Sequence, residues 1–311
     1  MFSAIGLVIV THLVVPVFFL VWLWRGGEKS KLEWLLTTST VLFYSVHIFL
    51  VGRWDFFGYP LRFVLGGAFL VVAFRSLKKL KSLPVYPARN LGSYVSLGIS
   101  SLIALLFFGA LVAYIPNGYV LRGESVELFF PLGNGTYYVG HGGSSPVLNH
   151  HHVNAAQRYA LDIVKLNRFG TRATGLYPSS LPSYTIFAEP LYSPCDGTVT
   201  EAVGDLSDLT PPESDGENLA GNHVLMQCPG ADVVLAHLQR GSLLVQPGDN
   251  VRAGDAIARI GNSGNTTEPY PHIHARKPNP GATLLEGEGL PITFDGRFLV
   301  RNSLFFGQDN D

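Results

Sequence analysis

Charge is scarce in this chain. Only 14% of its 311 residues are Asp, Glu, Lys or Arg, against about 25% in ordinary soluble domains, which argues against a single water-soluble globule. Neither sign predominates, the net charge being -1, so a basic nucleic-acid-binding surface and a polar disordered chain are both excluded as the overall reading. Cysteine is limited to Cys195 and Cys228, too few and too far apart for a zinc ribbon. Acid is the most unevenly missing. Residues 1–118 hold 3 Asp and Glu beside 10 Lys and Arg, net +7, whereas residues 119–311 hold 20 beside 12, net -8. The near-neutral total is the sum of two unlike halves. Histidine is divided too, with eight of ten between His141 and His274.

The first half contains runs that lack charge almost entirely, and each can be set against the roughly 20 residues that cross a hydrocarbon core. Phe2–Trp24 has only Ser3, Thr11 and His12 as polar interruptions, Leu35–Val51 is slightly short, and Tyr94–Ile115 is the strongest. Phe63–Phe74 is the weakest, because it has to be extended through Phe56–Tyr59 past Arg62. The chain has no basic stretch before its first apolar run, which disfavours a cleaved signal peptide. Three to four helices are therefore expected in residues 1–118, forming a multi-pass anchor in the lipid bilayer of the cell membrane. With four spans, eight basic residues fall on one side (Arg25, Lys29, Lys31 and the group from Arg75 to Arg89) against Arg53 and Arg62 on the other. The positive-inside rule then puts the C-terminal half outside the cytoplasm. Three spans give the same placement. His12 and His47 are read as structural hydrogen-bonding residues within the spans.

From Tyr119 onward, short apolar segments alternate with Gly, Pro, Asn and Asp. Glu127–Pro131, Thr136–Val139, Tyr159–Val164, Gly197–Val203, His223–Gln227, Val233–His237 and Ala256–Ile260 read as strands, and no amphipathic helix stands out. Residues 119–311 are thus expected to form an all-β barrel or sandwich. Gly170–Pro190 and the acidic Leu206–Ala220 are long irregular insertions, candidates for the walls of a site. Cys195 and Cys228, placed outside the cytoplasm, are a candidate disulfide; two buried thiols are the alternative.

Three pieces carry chemistry. His272-Ile-His274 follows a Gly/Asn/Ser turn, and on a strand residues two apart face the same way, so both imidazoles can approach one metal. His237 ends the apolar Val234-Leu-Ala run, and Asn149-His150-His151-His152 precedes Gln157-Arg-Tyr-Ala-Leu-Asp162. Imidazoles with a carboxylate suit Zn²⁺, whose catalytic sites keep three protein ligands and one open position. His223 reads as a strand residue, and His141, between Gly140 and Gly142, as part of a turn rather than of the metal site.

The segments from Leu235 through Val245-Gln-Pro-Gly-Asp-Asn-Val-Arg-Ala-Gly-Asp to Gly261-Asn-Ser-Gly and His272-Ile-His274 closely resemble lysostaphin-type (LytM-type) zinc metallopeptidases. Ser193-Pro-Cys-Asp-Gly-Thr-Val199 and Gly221-Asn-His-Val224 extend the resemblance to about residues 125–303. It implies a duplicated-hybrid-motif barrel-sandwich fold, one zinc in a groove, and hydrolysis of peptide bonds by a zinc-activated water, with peptidoglycan the usual substrate. The aspartate ligand falls on Asp162, the last histidine ligand on His274, and the two non-ligand catalytic histidines on His237 and His272. His272 is the better general base, with His237 at the oxyanion or the leaving amine, although the two roles are exchangeable.

The departure lies at the first ligand. Family members commonly carry His-x-x-x-Asp there, but four residues before Asp162 stands Arg158, and a guanidinium cannot ligate zinc. A branch of the family resembles this chain in pairing Asn-x-His with Gln-Arg-Tyr-Ala-x-Asp, which implies a relocated ligand. His151 is the first choice, followed by His152 or His150. Two other readings remain: a non-catalytic wall-binding or regulatory module that lost zinc, and a biotinyl/lipoyl-like adaptor, which lacks the tip lysine and leaves the histidines unexplained.

Overall fold

The structure is a computed structural model that describes residues 2–307. Contacts divide the chain into two compact units. The first comprises residues up to Trp54 and Pro60–Pro116; the second comprises Asp55–Tyr59 and the chain from Asn117 onward. The second unit holds eight of the ten histidines, and it also takes in five residues from the connection between two apolar helices.

The first unit is helical. Ile5–Arg25, Lys31–Val51 and Leu91–Gly118 are long and apolar enough to cross a membrane. The weak fourth run folds as the helix Leu61–Ser76, which at 16 residues falls short of a full span. Ser30 starts Lys31–Val51 by accepting the Glu33 amide, and Asn90 starts Leu91–Gly109 by accepting that of Ser93. Both residues satisfy amides that have no partner within the helix. His12 is held locally, its Nδ1 lying 2.9 Å from the Val8 carbonyl.

The second unit is mostly β. Its main sheet has nine strands among the described residues, and the path through it runs Leu304–Gly307, Gly135–His141, Leu161–Lys165, His272–Arg276, Ala231–Leu238, Asn222–Cys228, Gly197–Val203, Asn250–Val251. The ninth strand, Gly289–Leu290, pairs with His272–Arg276 off that path. Every pairing in this sheet is antiparallel. One face is dry: Leu161, Ile163, Leu235 and Ile273 are at most 1% exposed and belong to the main hydrophobic cluster. Alternation sends the residues between them, Asp162, Ala236, His272 and His274, to the other face.

Several details differ from the strand expectations. Glu127–Pro131 shrinks to Val126–Glu127, which pairs in parallel with Ile292–Phe294. Four short strands after Gly289, none longer than four residues, had no readable alternation. His141 ends a strand and pairs across the ladder with Asp162, instead of occupying a turn.

Cys195 and Cys228 are bonded, closing a loop with a sequence separation of 33. Chain-entropy arguments assign such a loop about 4 kcal/mol. The double variant Cys195→Ala/Cys228→Ala is expected to lose about that much stability in urea unfolding, and a thiol titration of the unreduced denatured wild type is expected to find no reactive group.

Candidate metal centre

Asp162 is the centre of the site. It lies on the third strand of the path, directly opposite His272 on one neighbour and His141 on the other, and it is 3% exposed. The His272 Nδ1–H donates to its Oδ1 at 3.0 Å. His151 Nε2 lies 3.0 Å from Oδ2 and 3.1 Å from Oδ1. Burial alone would raise the Asp162 pKa, but the charge and hydrogen bonds of His151 and His272 hold it well below the ordinary value. Burial likewise opposes the charged form of His151, and Asp162 outweighs this and raises its pKa.

His151 reaches this carboxylate through a short 3-10 turn, His150–Val153. The turn is set by Asn149, which is fully buried. Its side-chain oxygen accepts the His151 amide at 3.1 Å. Its amide nitrogen donates to the carbonyls of Gly143, Arg158 and Ala160 at 3.2, 3.3 and 3.0 Å. Arg158, four residues before Asp162, is exposed and contributes its carbonyl to Asn149. The sequence quotes Asn149 within the motif without revealing this role.

His274 is 1% exposed, and its Nε2–H donates to the Leu284 carbonyl at 3.2 Å. Arg276 shapes the loop that supplies this carbonyl by donating to the Thr283 and Glu286 carbonyls. A carbonyl can only accept, so the His274 Nδ1 is left without a proton. By the same logic His272, with its proton on the Asp162 side, presents a bare Nε2. These two nitrogens face each other at 3.1 Å. Burial first, and neighbouring imidazoles second, hold the pKa of both rings below the ordinary value. Imidazoles and a carboxylate gathered in this way are a donor set that fits zinc.

Donor atoms of His151, Asp162 and His272 lie within 4.8 Å of one another. His274 is outside that group, although its Nδ1 lies 3.1 Å from the His272 Nε2. A second group with the same spacing is formed by His141, His150 and Asp162. There the His150 Nδ1 is 2.9 Å from the His141 Nδ1, which also accepts from Arg301 at 2.7 Å, placing a cation beside it. His152 belongs to neither group.

His237 enters by a different route. Strand alternation would turn it toward the dry face with Leu235. Instead Ala236 pairs with His223 and Leu238 with Asn222, so His237 is the extra residue of a β-bulge. Its φ of 62° lies in the left-handed region, a conformation costing about 1 kcal/mol or more for a non-glycine residue. Its Nδ1–H donates to the Ser263 carbonyl at 2.9 Å, which leaves Nε2 for the cavity. Burial lowers its pKa to about 4. His223 stands apart, between the Gly221 carbonyl and Glu201.

The cavity over these groups has a volume of about 310 Å³ and is lined by His151, His237, His272 and His274, with Tyr270 and Leu284 among its walls. Of the two long insertions, 206–220 contributes Leu219 and Ala220. The 170–190 insertion contributes no lining residue and folds around Arg172 instead.

Residues 185–283 match the model of peptidase family M23. The matched span contains His237, His272 and His274, whereas His151 and Asp162 lie upstream of it and reach the same site only through the fold. Among solved structures, the SpoIIQ–SpoIIIAH pore-forming complex matches at 16% identity and TM-score 0.26, over 42% of this chain and 59% of that one. This chain therefore spans about three fifths of its length. The lysostaphin catalytic domain from Staphylococcus simulans matches at 17% identity and TM-score 0.26, over 49% and 80%. A zinc-containing peptidase from Vibrio cholerae matches at 19% and 0.25, over 42% and 50%. No curated protein matches the chain.

Two outcomes follow for the M23 segment and its upstream partners. His151→Ala and Asp162→Ala are expected to abolish stoichiometric zinc, read by metal analysis, while His152→Ala retains it. In chelator-treated protein, the depressed pKa of His237 means that the unfolded chain binds a proton first as pH falls. Its stabilising contribution is present above about 6.5 and is lost toward about 4, so the urea midpoint is expected to fall less steeply across that window in His237→Gln than in wild type.

Proposed function

We propose that this chain is a membrane-anchored zinc metalloendopeptidase that hydrolyses peptide bonds, with peptidoglycan cross-link or stem peptides as the substrate class. The observation that carries the proposal is the buried cluster of His151, Asp162 and His272, whose donor atoms lie within 4.8 Å of one another, with His274 beside it in the lining of one cavity. His151, Asp162 and His274 would hold the metal. Zinc bound there supplies a Lewis acid that polarises a carbonyl and brings the pKa of a coordinated water toward about 7.

The protein's own groups do the rest. His272, held by Asp162 through Nδ1, takes up a proton at Nε2 as general base. His237, anchored on the Ser263 carbonyl, directs Nε2 into the cavity and serves the oxyanion or the leaving amine. Its low pKa makes the protonated ring a strong donor once it is formed. The apolar helices supply the anchor, and the excess of basic residues in two of their connections supports an extracytoplasmic catalytic unit. The Cys195–Cys228 bond supports the same compartment, since disulfides persist where the surroundings oxidise.

The test uses the full chain in detergent, because the unit that holds the site includes Asp55–Tyr59. About one zinc per chain and release of new amino groups from purified peptidoglycan are expected, both lost in Asp162→Ala. His237→Ala and His272→Ala are expected to keep zinc and lose roughly 10²- to 10⁴-fold in kcat. Metal-free, inert wild-type protein overturns the proposal in favour of a non-catalytic wall-binding module.

A further inference from the structure

Arg172 is 1% exposed and lies on the 170–190 insertion, away from the metal cavity. Its Nε donates to Glu268 Oε2 at 2.6 Å, and the Asp55 carboxylate lies 3.7 Å from the same nitrogen. The guanidinium carbon sits 3.5 Å from the centre of the Phe56 ring, with Tyr177 and Tyr184 at 5.6 and 5.9 Å. Backbone bonds lock the same contact: the Arg172 amide donates to the Asp55 carbonyl at 3.1 Å, and the Tyr59 amide to that of Gly170 at 2.9 Å. Asp55 and Phe56 belong to the connection between the helices Lys31–Val51 and Leu61–Ser76, and they fold with the second unit.

The chain beyond Glu268 reads Pro269-Tyr270-Pro271-His272. Two prolines in three residues fix their own φ angles and restrict the residues before them, so this link is stiff. The position of the Glu268 carboxylate is thereby carried to Tyr270, which stands edge-on to His237 with ring centres 5.3 Å apart, and to His272. Tyr177 adds a second hold on the same segment, its hydroxyl donating to the Thr267 carbonyl at 2.8 Å.

We infer that Asp55 and Phe56 are positioning residues: by completing the cage around Arg172 they set the Glu268–His272 segment, so hydrolysis depends on the interhelical connection and not on residues 117–307 alone. The inference rests on the hydrolase reading above. A desolvated cation over an aromatic face is strongly held, and a buried guanidinium deprived of partners reorganises. A small shift of a catalytic group is enough to depress turnover.

The experiment compares full-chain Phe56→Leu, Phe56→Tyr and Asp55→Asn with wild type in detergent. Zinc content, kcat on peptidoglycan and amide hydrogen exchange by mass spectrometry are measured for each. Phe56→Leu keeps most of the volume and loses the ring. It is expected to speed exchange in residues 261–271 and lower kcat by about tenfold or more, with zinc content unchanged, Asp55→Asn shifting both in the same direction and Phe56→Tyr restoring both. Unchanged exchange in 261–271, exchange that rises equally in the Asn222–Cys228 and Ala231–Leu238 strands, or Phe56→Tyr as impaired as Phe56→Leu would each overturn the inference. If wild type itself hydrolyses nothing, the hydrolase reading fails, and the exchange pattern alone decides whether the cage positions the segment.

Discussion

A single buried carboxylate organises the second unit. Asp162 sits between His141 and His272 in the ladder and beneath His151, on the opposite face of its strand from Leu161 and Ile163. Its negative charge in a dry setting is tolerable because the His151 and His272 rings converge on it from two chain segments. Each donor also has a second contact: Asn149 holds the backbone of the His151 turn, and the His274 ring meets the far side of the His272 ring. Removing the charge would leave these rings without a common reference.

Legibility in the sequence followed the locality of the physics. The shared face of His272 and His274 was readable because strand alternation is a rule of nearest neighbours, whereas Asp162 was assigned as a ligand only by resemblance. The helices of the first unit were readable because length and lack of charge are summed along the chain. His237 was recognisable only by resemblance, since the bulge that turns it out of the core depends on pairing with His223 and Asn222 and on a left-handed φ. The triple histidine was half readable: Arg158 signalled that a ligand was expected from elsewhere, but which ring stands beside Asp162 depends on the backbone around Asn149. Asp55–Tyr59 could not be read at all. Five residues between apolar helices look like a connection until Arg172, more than a hundred positions away, is brought beside them.

The site is also divided in sequence. Residues 185–283 supply the facing imidazoles and the cavity's bulge, and the upstream strand and turn supply the charge. The matched family segment therefore covers only part of the histidine and carboxylate cluster, and a comparison restricted to it does not reach His151, Arg158 or Asp162.

The disulfide has a consequence for how the second unit withstands damage. The loop it closes contains the exposed acidic stretch that borders the cavity at Leu219 and Ala220. A protease nick there, at a segment with no regular backbone ladder, would leave the two fragments covalently joined. Both ends of the break would stay attached to strands of the same sheet, Gly197–Val203 and Asn222–Cys228, which pair with each other. The unit would thus keep its imidazoles in register after this exposed loop had been cut, and reducing and non-reducing gels would report different masses for the same molecule.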